Sequence, residues 1–125
     1  MIIRNISFIS ALALTVAASA GVVNIQSQAH YNQVISQGLV VVDFWSPSCG
    51  PCKKMHPIID QVSQEMANVT FAKVNIQSLP GIASQMGVQS LPTFLFYKDG
   101  AVIGRAVSAR AKPDFVTIVR STLGV

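Results

Sequence analysis

A chain of 125 residues, half of them hydrophobic and 11% charged, is long enough for one domain with a packed core and too apolar to stay disordered. Its net charge of +4 comes from nine Lys and Arg, of which only Lys53 and Lys54 are adjacent. No basic run with interleaved aromatics exists, which speaks against nucleic-acid binding and leaves a solvated surface as the reading of the charge.

The first twenty residues differ from the rest. Arg4 is followed by the uncharged, apolar and small-residue stretch ISFISALALTVAASA, and Ala18-Ser19-Ala20 has small residues at both determining positions of an A-x-A cleavage site. The pattern is that of a secretory signal over residues 1–20, leaving a domain over 21–125. The run from Ile6 to Val23 also approaches the roughly 18 residues that span a bilayer, so an uncleaved anchor stays open, as does a folded helix or a mis-set start. Cleavage after Ala20 removes Arg4 and leaves eight Lys and Arg against five Asp and Glu, a charge of +3. Residue 21 is Gly, which argues against a lipid-modified N-terminus. The expectation is export to the periplasm, with a membrane-anchored or cytoplasmic protein as the alternative.

Val22–Gln26 is a short β-branched run that reads as a strand. Ser27 suits the N-cap of a helix to about Ser36 that turns Tyr31, Val34 and Ile35 inward and ends at Gly38. LVVVDFW, residues 39–45, is apolar but for one acid, the mark of a central strand buried on both faces. A helix to about Met66 follows, with Met55, Ile58, Ile59, Val62 and Met66 at helical spacing and Pro57 inside it, where a kink is expected. VTFAKVN (69–75) reads as a strand, and 79–86 as a short helix closed by Gly87. TFLFY (93–97) and AVIGRAV (101–107) flank Lys98-Asp99-Gly100, a strong hairpin signal. Pro113 begins a last helix with Phe115, Ile118, Val119 and Leu123 as its apolar stripe. The order β-α-β-α-β-α-β-β-α predicts an α/β fold. Its central sheet is mixed, mainly parallel because helical crossovers join parallel strands, with an antiparallel C-terminal hairpin and helices on both faces.

Both cysteines of the chain lie in WSPSCGPCKKMH, between the buried strand and the next helix. A disulfide between residues three apart closes a tiny loop and removes little unfolded-state entropy, which argues against a purely structural bond. Cys49 stands at the helix N-terminus, where unpaired N–H groups and the macrodipole favour thiolate, so its pKa is expected below the free value of about 8.5. Pro51 is tolerated in the first turn and stiffens the link. Cys52, one turn on, shares the helix face and is placed to attack a mixed disulfide formed at Cys49. Cys49 is thus the expected nucleophile and Cys52 the resolving thiol. Zinc needs four ligands, and the chain offers the two cysteines, His56 and the distant His30; no metal is expected. Haem attachment needs His directly after Cys52, where Lys53 stands.

At this point the residues resemble the thioredoxin family. VVVDFWSPSCGPCKKMHPIID is similar to its active-site stretch, FAKVNI to a central strand and SLPTFLFYKDG to its later proline loop, a likeness spanning about residues 22–123. The resemblance implies the thioredoxin fold and dithiol–disulfide exchange with protein disulfides through a redox-active Cys49–Cys52 disulfide and no other cofactor. It implies that Asp43 is a buried acid that moves a proton to or from Cys52 and that Lys73 is a possible partner of Asp43. Trp45 then packs behind the motif, and Pro57 is a helix-kinking structural proline. Pro92 is the cis proline facing the disulfide, and the Leu91 backbone pairs with an extended substrate. Ser48, Gly50, Pro51, Leu91, Pro92 and Ser108 form the implied substrate-docking surface. Asp43 has a bland alternative as a capped structural acid, Trp45 as core packing, Pro92 as a strand-start proline and Lys73 as an ordinary strand lysine. His56 reads as a residue of a partly exposed helix face.

Three positions depart from the family pattern. Ser48 replaces a tryptophan before the first cysteine, Ser108 replaces a glycine after the hairpin, and Gln77 replaces an acid after Asn75-Ile76. The first two lie where substrates dock and bear on substrate range more than on chemistry. The expected activity is reduction of protein disulfides. The expected partners are those substrates and a reductase or membrane electron donor that restores the dithiol, and the expected state is a monomer. An exported thiol oxidase or isomerase, or a binding module with an incidental disulfide, are the alternatives.

Overall fold

The computed structural model describes residues 21–125; the expected signal segment, residues 1–20, lies outside the described residues. The elements are β1 (Val22–Asn24), α1 (Gln28–Ile35), β2 (Leu39–Trp45), α2 (Gly50–Glu65), β3 (Val69–Asn75), α3 (Pro80–Gln85), β4 (Thr93–Lys98), β5 (Ala101–Val107) and α4 (Lys112–Leu123). Their order is the one expected, although β1 and α3 are each two residues shorter.

Alternation along β2 divides the interior. Val40, Val42 and Phe44 join Tyr31 of α1 and Ile82 and Ala83 of α3 on one face of the sheet. Val41 joins Met55, Ile59 and Val62 of α2 and Phe115, Val119 and Leu123 of α4 on the other. Fully burying one such side chain contributes about 1.5–3 kcal/mol, so these two clusters hold the helices to the sheet. α1 starts as its sequence demands, with the Ser27 hydroxyl accepting the His30 N–H at 3.0 Å. The Asp99-Gly100 turn has both φ values positive, 48° and 86°, the geometry of a tight two-residue hairpin loop. Asp99 also accepts the Gly38 N–H at 2.9 Å, tying the hairpin tip to the start of β2.

The sheet order is β1-β3-β2-β4-β5, with β1 and β2 parallel to β3, and β4 antiparallel to both β2 and β5. The mixed sheet with an antiparallel C-terminal hairpin is therefore as expected, but one step toward it was not. The crossover rule predicted that β4, joined to β3 through a helix, would run parallel to it. The reason for the difference is length. A six-residue helix advances about 9 Å, whereas returning along a seven-residue strand takes about 23 Å. α3 does not carry the chain back along the sheet, and β4 begins at the end where β3 stopped. This places Thr93 opposite Phe44, and Pro92 arrives beside the loop that leaves Trp45.

Candidate active site

The site lies where β2 and β5 end and β4 begins. Ser46-Pro47-Ser48-Cys49 forms a turn with proline at its second position and the Cys49 N–H donating to the Ser46 carbonyl at 3.1 Å. The turn delivers Cys49 to the N-cap of α2, in extended backbone, with its Sγ accepting the Cys52 N–H at 3.1 Å. Gly50 and Pro51 form the exposed first turn. Cys49 and Cys52 are joined in a disulfide with Cα atoms 5.3 Å apart. The two sulfurs differ in access: Cys52 is fully buried, while Cys49 is half-buried at the surface.

Asp43 shares its strand face with Val41 and is 1% exposed, and neither carboxylate oxygen has a hydrogen-bond partner. Burial pushes its pKa up to about 7, with Lys73 pulling the other way. Lys73 is directly opposite Asp43 in the β2–β3 register. Of the two readings of Lys73, the direct partner of Asp43 is not the one found: the Lys73 Nζ binds Asp60 of α2 at 3.4 Å. Asp60 is more than half exposed, so its carboxylate keeps its solvation and is the less costly anion to hold against the lysine. Asp43 feels the lysine only through space.

Trp45 is half-buried, and its ring meets His56 edge-on at 4.7 Å between centroids. His56 is itself half-buried, its Nε2 lacks a partner, and burial first and Lys73 second push its pKa down, against Asp60. Pro57 sits inside α2, which runs through it from Gly50 to Glu65. His30 belongs to α1, on the opposite face of the sheet, where its Nδ1 accepts the Gln26 N–H. Among the described residues, no three His, Cys, Asp or Glu side chains gather as a metal-holding group.

The second wall comes from the β4 side. The Leu91–Pro92 peptide is cis, with Pro92 buried and Leu91 half-buried. Ser108, just past β5, donates its N–H to the Pro92 carbonyl at 3.0 Å with φ of +87°, a backbone region that L residues other than glycine rarely adopt. The two candidate docking residues that departed from the family pattern are thus both placed at the site. Ser108 anchors the proline loop, and the exposed Ser48 shares a 3.1 Å hydroxyl contact with the buried Ser46.

Sequence reasoning missed three contributors. Ser46 holds the turn before Cys49, and its signal was the Ser-Pro step itself. Asp60 takes Lys73; thirteen residues and two elements separate them, and no local pattern joins them. Arg105 of β5 donates to the carbonyls of Met86 and Gly87, bracing the segment that leads into Leu91-Pro92. Its only signal was an arginine in an edge strand.

The thioredoxin family model matches residues 21–121. The thioredoxin of Chlamydia caviae is 36% identical over 97 residues, covering 78% of this chain and 95% of the relative. Among solved structures, Malassezia sympodialis thioredoxin superposes with a TM-score of 0.75 at 31% identity, covering 82% of this chain and 93% of that one. Plasmodium falciparum thioredoxin does so with a TM-score of 0.76 at 28% identity, covering 79% and 97%. With a bonded cysteine pair opening a helix beside a cis proline, and with relatives matched over nearly their whole length, this chain belongs to the thioredoxin family and is a thiol–disulfide oxidoreductase.

Proposed function

We propose that the protein is an exported protein-disulfide reductase. The observation that carries the mechanism is the unequal access of the two sulfurs, Cys49 at the surface and Cys52 buried one turn below it. In the reduced protein, the Cys49 thiolate attacks one sulfur of a substrate disulfide. A Cys49–substrate disulfide forms, and the other substrate sulfur leaves as thiolate. Cys52 then loses its proton and attacks the Cys49 sulfur, closing the Cys49–Cys52 disulfide and releasing the second substrate thiol. Two electrons and two protons pass to the substrate. An electron donor outside the chain returns the pair to the dithiol.

Each neighbouring residue has a role that its surroundings support. The Cys52 N–H directed at Cys49 Sγ stabilises negative charge on that sulfur. Asp43, buried, unpartnered and with its pKa pushed up to about 7, is suited to take the proton from Cys52 and return it near neutral pH. The Leu91 backbone pairs with an extended substrate strand, and Pro92 and Ser108 shape the surface it lies on. The leader of residues 1–20 supports export to the periplasm, where the dithiol is maintained only by a dedicated donor.

The Cys52→Ser protein tests this reading. It should accumulate substrate proteins bound through Cys49, releasable by reductant and absent from a Cys49→Ser/Cys52→Ser control. Equal yields from both proteins would reject the mechanism. The direction of exchange is read separately from the redox potential: a value as oxidising as that of periplasmic thiol oxidases, about −120 mV, would make the protein an oxidase.

A further inference from the structure

The charges around the disulfide have one sign. Four segments build this end of the sheet: the uncharged residues 25–27 after the edge strand β1, and residues 46–54, 76–92 and 107–111. Residues 74–97 contain no Asp, Glu, Lys, Arg or His, and residues 44–52 contain none either. What remains is Lys53 and Lys54, both exposed on the first turns of α2, and Arg110 in the loop after Ser108. Arg110 is held in place there, with its N–H on Met55 Sδ at 3.3 Å and its Nη2 on the Val107 carbonyl at 3.1 Å. Met55 is three residues past Cys52, and Ser108 between Val107 and Arg110 grips Pro92, so the guanidinium is fixed at the rim.

None of these three cations is ion-paired among the described residues. Asp60 is bound to Lys73 and Glu65 to Lys112, the two ion pairs among the described residues. Asp99 is in the hairpin turn at the opposite end of the sheet, Asp43 is buried beneath the site, and Asp114 is in the first turn of α4.

We propose that Lys53, Lys54 and Arg110 form a cationic rim that selects protein disulfides flanked by acidic residues. The proposal rests on the disulfide-exchange reading above. An extended substrate lying along Leu91 passes between α2 on one side and the 107–111 loop on the other, and meets cations on both. Lys53 and Lys54 are exposed and Arg110 is half-buried; charges at such a rim act mainly on the association rate, and salt screens them.

The test uses three disulfide peptides of one sequence, whose flanking residues are Asp-Glu, Ser-Gly or Lys-Arg. Each reduction rate is divided by that peptide's rate with dithiothreitol, which removes the peptide's own reactivity. At low ionic strength the acidic peptide should react about 10-fold faster than the basic one, and the ratio should fall below about 2 in 0.5 M salt. Lys53→Gln/Lys54→Gln, two exposed substitutions, should lower the ratio at least 3-fold, and Arg110→Gln should lower it further. Lys98→Gln, at the opposite end of the sheet, should leave the ratio unchanged.

Equal normalised rates for acidic and basic peptides at low salt would overturn the rim while leaving the reductase reading standing. So would an equal loss of discrimination in Lys98→Gln. Failure to reduce even the neutral peptide would overturn both.

Discussion

Replacing Asp43 with Asn isolates the cost of keeping a carboxyl under the active site. In the unfolded chain this group titrates near its ordinary 3.8, and in the folded protein near 7. Below about pH 4 both states hold the proton, and folding gains its full benefit. As the pH rises, the unfolded chain releases the proton first, so stability falls until the native carboxyl also ionises around pH 7. The interval from 3.8 to about 7, at about 1.4 kcal/mol per pH unit, sets this loss at no more than about 4 kcal/mol. Asn keeps the shape but has no charge to lose. Its amide inherits the unpartnered surroundings, a pH-independent cost of about 1–3 kcal/mol. Urea unfolding of the oxidised native and Asp43→Asn proteins at pH 4, 6 and 8 separates the two effects. The variant should gain up to about 4 kcal/mol on the native protein between pH 4 and 8, a midpoint change of roughly 2 M for a slope near 2 kcal/mol/M. Other titrating groups contribute alike to both proteins and cancel. Stability curves that stay parallel within about 0.5 kcal/mol from pH 4 to 8 would refute the reasoning.

Four further outcomes follow from individual contacts. Lys73→Met removes the cation that opposes the upward shift of Asp43, so the pH at which the stability loss levels off should move above about 7, read from the same unfolding series. Ser108→Gly relieves a side chain at φ +87° and should stabilise the protein by about 1 kcal/mol, raising the melting temperature by roughly 5 °C by calorimetry. Arg105→Gln loses the donors to the Met86 and Gly87 carbonyls, both made at the surface; it should cost about 0.5–1.5 kcal/mol and speed hydrogen exchange in residues 88–91 more than in β2. Ser48→Trp places a large aromatic beside Cys49 and should change reduction rates for protein disulfides but not for a small-molecule disulfide. Unchanged rates across several protein substrates would reject a docking role for this position.

The elements themselves were readable because each is written in neighbouring residues. The strand ending at Trp45, the helix opened by Cys49 and stiffened by Pro51, the Ser27 cap and the Asp99-Gly100 turn all follow from spacings of a few residues and local backbone preferences. The cysteine pair and its place at a strand–helix boundary belong to the same class, as does the burial of Asp43, set within a run of apolar β-branched and aromatic neighbours. The cis Leu91–Pro92 bond was reached only through family resemblance, because most X–Pro bonds are trans and nothing local marks the exception.

Tertiary structure decided how the parts meet. The direction of β4 depended on how far six residues of α3 carry the chain, and that reversal brings Pro92 to the cysteine loop. The choice of Asp60 over Asp43 by Lys73 depended on which carboxylate keeps its water, a matter of depth that arises only when α2 covers the sheet. The backbone of Ser108 is held at positive φ with its N–H on Pro92, so a residue that looked like a side-chain replacement acts through its main chain. Local sequence determined which residues could do the chemistry. Packing determined which sulfur reaches the surface, which carboxyl is left unpaired and what surrounds them, because desolvation and long-range pairing exist only once the chain is folded.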